Sequence, residues 1–417
     1  MRNLAYLIGS WYAVGPSGFS CSGLLDAPVA ISSVTSELRL AVLLPITGSW
    51  PVGAGLIGAV ALAVEAVNSD PRILNGRRLS FFWGDDGCDR TTSLAAFSNL
   101  LEQHGAIHAL IGPGCSKACE LTASFCHAKN LPQVSPTCAA PSLSNKKEFP
   151  LFIRTTSPYA KWAPAIVSFA QWAGWGILSI LSDSGMTESS VALRILLEAD
   201  GMAVGVVVNF DTGRFDEKQQ LMSVQKAAVQ AVMVFAYASD YLAIALATIS
   251  QRITHGWGWM GIDMVFGAEQ TLEAPDLQLR QASLDGWIYF EPYSIADKSF
   301  FAKVKEASLA YFPELSSKSL IVPPYAANTY DAVLLYAKIA GNYPLDIQNG
   351  TKLVAAMRNI SFQGTRGAPF RPYLSPRTQH ARAHWRTRAH SPTHASERTL
   401  ARPPTQSLAL ARHSLQV

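Results

Sequence analysis

Charge is scarce in this chain: Asp, Glu, Lys and Arg make up 15% of its 417 residues, against 49% apolar. That proportion is enough to bury large cores, and the length predicts two or three domain-sized units. Basic excess is missing from most of the chain. The segment from Gly367 onward, with eight Arg, no Lys and the single acid Glu397, carries +7 of an overall +4, which leaves the first 366 residues near −3. The folded part therefore lacks the electrostatic footprint of a nucleic-acid partner, and none is expected. No apolar run reaches membrane-spanning length without a charge. Residues 227–249 are apolar but broken by Asp240, and divide better into a strand at 231–236 and a helix. A membrane anchor, if one exists, is expected outside this chain. The six cysteines contain no CxxC pair. A zinc reading of Cys115, Cys119, Cys126, His127 and Cys138 therefore ranks below buried structural thiols, and no metal is expected. Nothing around the turns between residues 37 and 155 has the makings of a catalyst, so the chain reads as a non-enzyme without a cofactor.

What is present is an alternation of strands and helices. Residues 38–44 (LRLAVLL) form a buried strand, 56–67 a one-sided apolar helix, 79–83 a second strand, 91–104 a second helix and 107–111 a third strand. A helix at 119–128 and short strands at 131–135 and 151–155 follow. The rhythm repeats with strands at 177–181, 203–210, 231–236 and 264–267. A strand within 286–292 is expected to return to the first unit, with outer helices at 300–312 and 326–340. Strands alternating with helices imply right-handed crossovers and parallel sheets. Turns at the carboxyl ends of such strands are where ligands bind. Residues 1–35 read as a leader resembling a weak secretory signal, with one short apolar run at 4–14 and Cys21 outside the fold. Asn349 and Asn359 open N-x-[ST] triplets that fit an exported, glycosylated chain.

Specific phrases run along this frame in order: PITGSWP at 45–51, DDGCD at 85–89, GPGCS at 112–116, APSLSN at 140–145, FPLFIR at 149–154, WAGW at 172–175 and TYD at 329–331. On these phrases the chain resembles the ligand-binding region of the atrial-natriuretic-peptide-receptor family, the type I periplasmic-binding-protein fold. Within that family it is most similar to the extracellular domains of class C G-protein-coupled receptors, especially the metabotropic GABA-B receptor. The resemblance covers about residues 37–364. It implies an α/β, two-lobed clamshell, each lobe a parallel sheet flanked by helices. Lobe 1 is expected at 36–157 and 285–342, and lobe 2 at 158–284 and 343–366. The family's ligand sits in the cleft and shifts the population towards the closed state by its differential affinity. The expected location is the extracellular side of a membrane, or secretion, with homo- or heterodimerisation through lobe 1.

The resemblance also assigns residues. Cys88 and Cys115 match the family's disulfide, which requires an oxidising compartment. Ser116 follows the GPGC turn and opens a helix. An N-cap is the plain role, and the same geometry suits a ligand carboxylate. Thr137, Cys138 and Ala139 occupy the next turn, where Ala139 lacks the hydroxyl the family presents. Trp50 matches an aromatic at the cleft mouth, and Tyr237 a tyrosine that closes onto the ligand; each is equally consistent with ordinary packing. One departure concerns an amine-bearing ligand, which needs an acidic partner. The family's acid falls within residues 320–328, which hold no Asp or Glu here; Tyr325 stands near the place. Asp240 and Glu269 are the substitutes the sequence offers. The expected ligand is an amino-acid-like molecule or an organic acid.

Two competing readings remain. A solute-binding protein of a transport system would share the fold and lack a membrane partner. A dinucleotide enzyme is suggested by GAGLIG at 53–58 with Asp70 beyond it, but TGSWPV at 47–52 separates those glycines from the strand, and Asp70 does not end the second strand. From residue 367 the text breaks inside a family motif and turns rich in Arg, His, Pro and Ser. Residues 367–417 are expected to be disordered, and the Arg-without-Lys bias marks them as out-of-frame or non-coding sequence rather than a basic arm. Without its last strands, lobe 2 is expected to expose a sheet edge.

Overall fold

A computed structural model describes residues 36–254, 256–262, 286–290, 296, 298–315, 320–365, 369–370 and 385–387. Two sheets organise them. The first has five strands, in the order β2-β1-β3-β4-β5. These are β1 (Glu37–Leu44), β2 (Arg78–Asp85), β3 (Ala109–Ile111), β4 (Gln133–Ser135) and β5 (Phe152–Arg154), all parallel. β1 lies between two partners and is apolar on both faces, as a central parallel strand must be. Leu38, Leu40, Val42 and Leu44 face one core, while Ala41 and Leu43 face another with Phe97, Leu100 and Cys126.

Helices α1 (Ile57–Ser69), α2 (Arg90–His104) and α3 (Ser116–Ala128) cover this sheet. The Asp89 carboxylate starts α2 by accepting from the backbone N–H groups of Thr91 and Thr92, both at 2.9 Å. The helix layer is completed by segments from late in the chain: α8 (Lys298–Tyr311), α9 (Tyr325–Asn342) and α10 (Gly350–Asn359). The glycines of GAGLIG serve this packing. A Cβ at Gly58 would lie 2.2 Å from the Val304 carbonyl oxygen, and one at Gly55 2.1 Å from that of Ile321. Their surface is covered by polypeptide, which leaves no room there for a pyrophosphate.

The second sheet runs β13-β10-β9-β8-β6-β7. β6 (Ile177–Asp183), β7 (Ala203–Phe210), β8 (Ala231–Phe235), β9 (Gly258–Ile262) and β10 (Ile288–Phe290) are parallel, and β13 (Trp385–Thr387) is antiparallel. Helices α4 (Ala163–Trp172), α5 (Thr187–Ala199), α6 (Met222–Lys226) and α7 (Ala238–Ser250) accompany it. A two-stranded pair, β11 (Phe362–Gln363) with β12 (Pro369–Phe370), completes the described strands.

The strand expected at 264–267 lies outside the described residues; a strand not singled out in the sequence is found at Gly258–Ile262. Three expectations are corrected. The strand within 286–292 does not return to the first lobe: Ile288–Phe290 pairs with Met260–Ile262, and buried Trp287 stacks on Trp259 with ring centroids 5.3 Å apart. The stretch from 343 does not begin in the second lobe. Leu353, Val354 and Met357 of α10 are buried, Arg358 donates to the Pro150 carbonyl (2.6 Å), and the Gly350 N–H donates to the Asn130 carbonyl (3.1 Å), which places α10 beside β5. Finally, residues 385–387 of the supposedly disordered tail form an edge strand on β10. An unpaired row of backbone groups on β10 is what this pairing satisfies. The leader and the remaining tail lie outside the described residues.

Candidate functional site

Three strand-to-helix turns of the first sheet meet at one corner, and the sequence ties them together chemically. Asp85 Oδ1 accepts from the backbone N–H groups of Ile46 (2.9 Å), Thr47 (3.1 Å) and Gly87 (2.9 Å). Asp86 is fully buried; its two oxygens accept from Gly114 N–H at 2.6 Å and Cys88 N–H at 2.7 Å. Burial pushes the Asp86 carboxyl up to about 7 against the pull of those two donors. Cys88 and Cys115 form the disulfide that the resemblance implied. A second disulfide joins Cys119 to Cys138, which corrects the expectation of free structural thiols there; Cys126 is a buried free thiol. Cys115 and Cys119 sit one helical turn apart, so the start of α3 is stapled to the turns on both sides of it.

The expected site residues fall into two groups. Ser116 opens α3, with Cys115 at the N-cap position, and its Oγ accepts from Ala140 N–H at 3.1 Å. That bond does not use the Ser116 hydroxyl hydrogen, and the first amides of α3 have no acceptor within the helix, an arrangement suited to a carboxylate. Ser116 lines a cavity of about 170 Å³ between the lobes. None of the others lines it. Thr137 donates from its hydroxyl to the Gly114 carbonyl (2.7 Å), and Cys138 N–H donates to Ser135 Oγ (3.0 Å). Ala139 is fully buried and its carbonyl accepts from Tyr159 N–H at 2.9 Å. Trp50 is fully buried, edge-on to the ring of Tyr325 at 5.7 Å. Tyr237 precedes α7 and is buried, which raises its phenol; Asp183, Glu120 and Asp86 add to the effect.

The lobes touch directly. Glu188 accepts from Ser142 N–H at 2.8 Å, Ser239 N–H donates to the Ser49 carbonyl at 3.4 Å, and Lys117 Nζ donates to Thr212 Oγ1 at 3.3 Å. The cavity is bounded on one side by Arg90, Ser116, Lys117 and Glu120 and on the other by Tyr159 and residues 184–189. Its volume is below the range for drug-sized ligands, so it suits a small molecule. Arg90 pairs with Glu120 at 3.7 Å, and Ser142 Oγ donates to Glu120 at 2.7 Å. The starts of α3 and α5 both border the space. These charged residues were not singled out in the sequence. Lys117 and Glu120 stand next to and one turn beyond Ser116 on α3, a signal that helical spacing contained. Of the two candidate acids, Asp240 is buried, accepts from Gly213 N–H (3.0 Å) and is raised chiefly by that burial, while Glu269 lies outside the described residues. Asn349 and Asn359 are both exposed.

The chain is 24% identical over 330 residues to guanylate cyclase 32E of Drosophila melanogaster, covering 75% of this chain and 27% of that protein. It is 29% identical over 215 residues to gamma-aminobutyric acid type B receptor subunit 1 of Mus musculus, covering 50% of this chain and 22% of the receptor subunit. It is 24% identical over 279 residues to metabotropic glutamate receptor 6 of Rattus norvegicus, covering 56% and 32% respectively. The chain thus spans about a third or less of these relatives. A solved ABC transporter substrate-binding protein from Sphaerobacter thermophilus shares the fold, with a TM-score of 0.64 at 17% identity, covering 81% of this chain and 90% of that one. Residues 57–371 match the family described as the receptor family ligand binding region, and the chain belongs to that family.

Proposed function

We propose that this chain is the ligand-binding part of a membrane receptor, facing the extracellular side, where it holds a small amino-acid-like molecule or organic acid between its lobes and signals by lobe closure. The family match supports a non-catalytic binding role. The observation that carries the reading is the small interlobe cavity, bordered by the starts of α3 and α5 and lined by Ser116. Two helix N-termini and a hydroxyl donor favour a carboxylate there. Pairing with a second receptor chain through the first lobe, and glycans on Asn349 and Asn359, belong to the same proposal.

Thermal denaturation of the full chain with a panel of amino acids and organic acids at millimolar concentration tests it. A binder present at 100 times its Kd adds about 2.7 kcal/mol to stability by mass action and raises the melting temperature. Ser116→Ala should weaken that binder by roughly ten- to a hundredfold, the worth of a hydrogen bond to a charged group, with little change in the unliganded melting point. A panel without any stabilising acid, or a binder indifferent to Ser116→Ala, rejects the reading.

A further inference from the structure

Lobe 2 carries two buried carboxyl groups that no cation of its own neutralises. Asp183 is fully buried, and its Oδ1 accepts from Gly185 N–H (2.6 Å) and the Thr212 hydroxyl (2.7 Å). Its Oδ2 is buried, and the Asp183 and Asp240 carboxyls lie close enough to interact side chain to side chain, acid against acid. Asp240 is 3% exposed and accepts from Gly213 N–H at 3.0 Å. No ion pair among the described residues involves either acid. Uncompensated carboxyls at this depth are costly, and a cation brought to their edge relieves part of that cost.

The cation that arrives comes from the other lobe. Lys117, on the first turn of α3, extends across the cleft so that its Nζ donates to Thr212 Oγ1 at 3.3 Å, the same hydroxyl that donates to Asp183. Gly185 makes room for the crossing: a Cβ there would lie 2.9 Å from both Lys117 Cε and Tyr237 Cε2. The lysine stem therefore passes over a residue whose missing side chain is the opening it uses. Glu120, Glu188, Tyr237 and Arg90 are the other titratable groups around this junction; Arg90, the second cation, is paired with Glu120 at 3.7 Å.

We propose that Lys117 is a built-in latch, which holds the lobes together in the absence of ligand by delivering its ammonium to the Thr212–Asp183–Asp240 acceptor set of lobe 2. In this arrangement closure does not begin from zero when a ligand arrives. The latch sets how much of the population is already closed, and so how much binding free energy a ligand must supply.

The inference does not depend on the ligand's identity, and its test uses ligand-free full-length protein. Ser142 N–H and Ser239 N–H bond across the cleft, so their hydrogen exchange reports closure, while amides of β1 and β8 report the integrity of each lobe. Lys117→Met keeps the stem and removes the charge. Thr212→Val removes the relay hydroxyl at nearly constant shape. Lys117 and Thr212 are both part-exposed, so neither change empties a core. Each variant should speed exchange at Ser142 and Ser239 by about tenfold or more while β1 and β8 stay protected, because a hydrogen bond from a charged donor is lost. The Lys117→Met/Thr212→Val double variant should exchange no faster than the faster single one, since both remove one contact. Unchanged protection in Lys117→Met, additive effects in the double variant, or equally rapid exchange in the wild type would each overturn the proposal.

Discussion

Asp86→Ala is expected to destabilise the protein by about 4 kcal/mol, since it strips the acceptors from two backbone donors, buried Gly114 N–H and part-buried Cys88 N–H, each left unsatisfied at about 1–3 kcal/mol. Urea unfolding at constant pH measures the loss; a change below 1 kcal/mol would show that the turn is held without this carboxyl. Titration of the same residue separates charge from hydrogen bonding. Because burial raises its carboxyl to about 7, the folded protein holds this proton more tightly than the unfolded chain does. Its contribution is complete below the ordinary aspartate range near 4 and is lost as pH climbs through about 7, at up to about 1.4 kcal/mol per pH unit. Asp86→Asn stays neutral and should flatten that segment of the stability curve. Asp240 is raised as well and acts in the same direction, so the comparison of wild type with Asp86→Asn isolates the first group. Parallel curves for the two proteins between pH 4 and 7 would remove Asp86 from the account.

Loss of the Cys119–Cys138 bond is expected to be nearly as severe. The bond closes a loop with a sequence separation of 19, worth about 3 kcal/mol in the unfolded-state picture. The double variant Cys119→Ala/Cys138→Ala avoids a stray thiol and should melt several degrees lower, with the Thr137–Ala139 turn losing its protection from exchange first. Differential alkylation before and after reduction provides a second readout. In the folded protein Cys88, Cys115, Cys119 and Cys138 should resist labelling until reduced, whereas Cys126 should need unfolding but no reductant. Labelling of Cys119 or Cys138 without reductant contradicts the pairing.

Much of the framework was legible because its signals are local. The apolar run of β1, the acidic DDGCD turn and the Ser116 helix start are each written within a few residues, and the family phrases add their order along the chain. The misreadings share a cause: each depended on contacts distant in sequence. Cys119 and Cys126 both belong to α3, but which of them meets Cys138 is decided by where β4 enters the sheet. The strand at 288–290 is as apolar as one bound for the first sheet. Its allegiance to β9 comes from the crossover, and Trp287 stacking on Trp259 reflects that choice. The closing set of Arg90, Lys117, Glu120 and Glu188 escaped notice because a charged side chain in isolation reads as a solvated surface. It becomes a site when a second lobe is laid against it. Trp50, Tyr237 and Tyr325 were legible as aromatics in the right places. Their burial was not, because it depends on packing partners distant in sequence, as in the edge-on contact of Trp50 with Tyr325.

The late arrival of α8, α9 and α10 bears on how the molecule is made. Leu40, Val42 and Leu44 leave the ribosome early, yet their cover includes helices that follow every described parallel strand of the second lobe. The second lobe can finish its own parallel sheet while the first still shows bare apolar surface to the cytosol or to a translocation channel. Closing such a long chain segment is slow, and an unfinished first lobe is the species most exposed to aggregation and to chaperones. Truncations that end before α9 should therefore leave the parallel strands of the second lobe able to fold while the unfinished first lobe drives the chain into aggregates, read as loss of soluble yield.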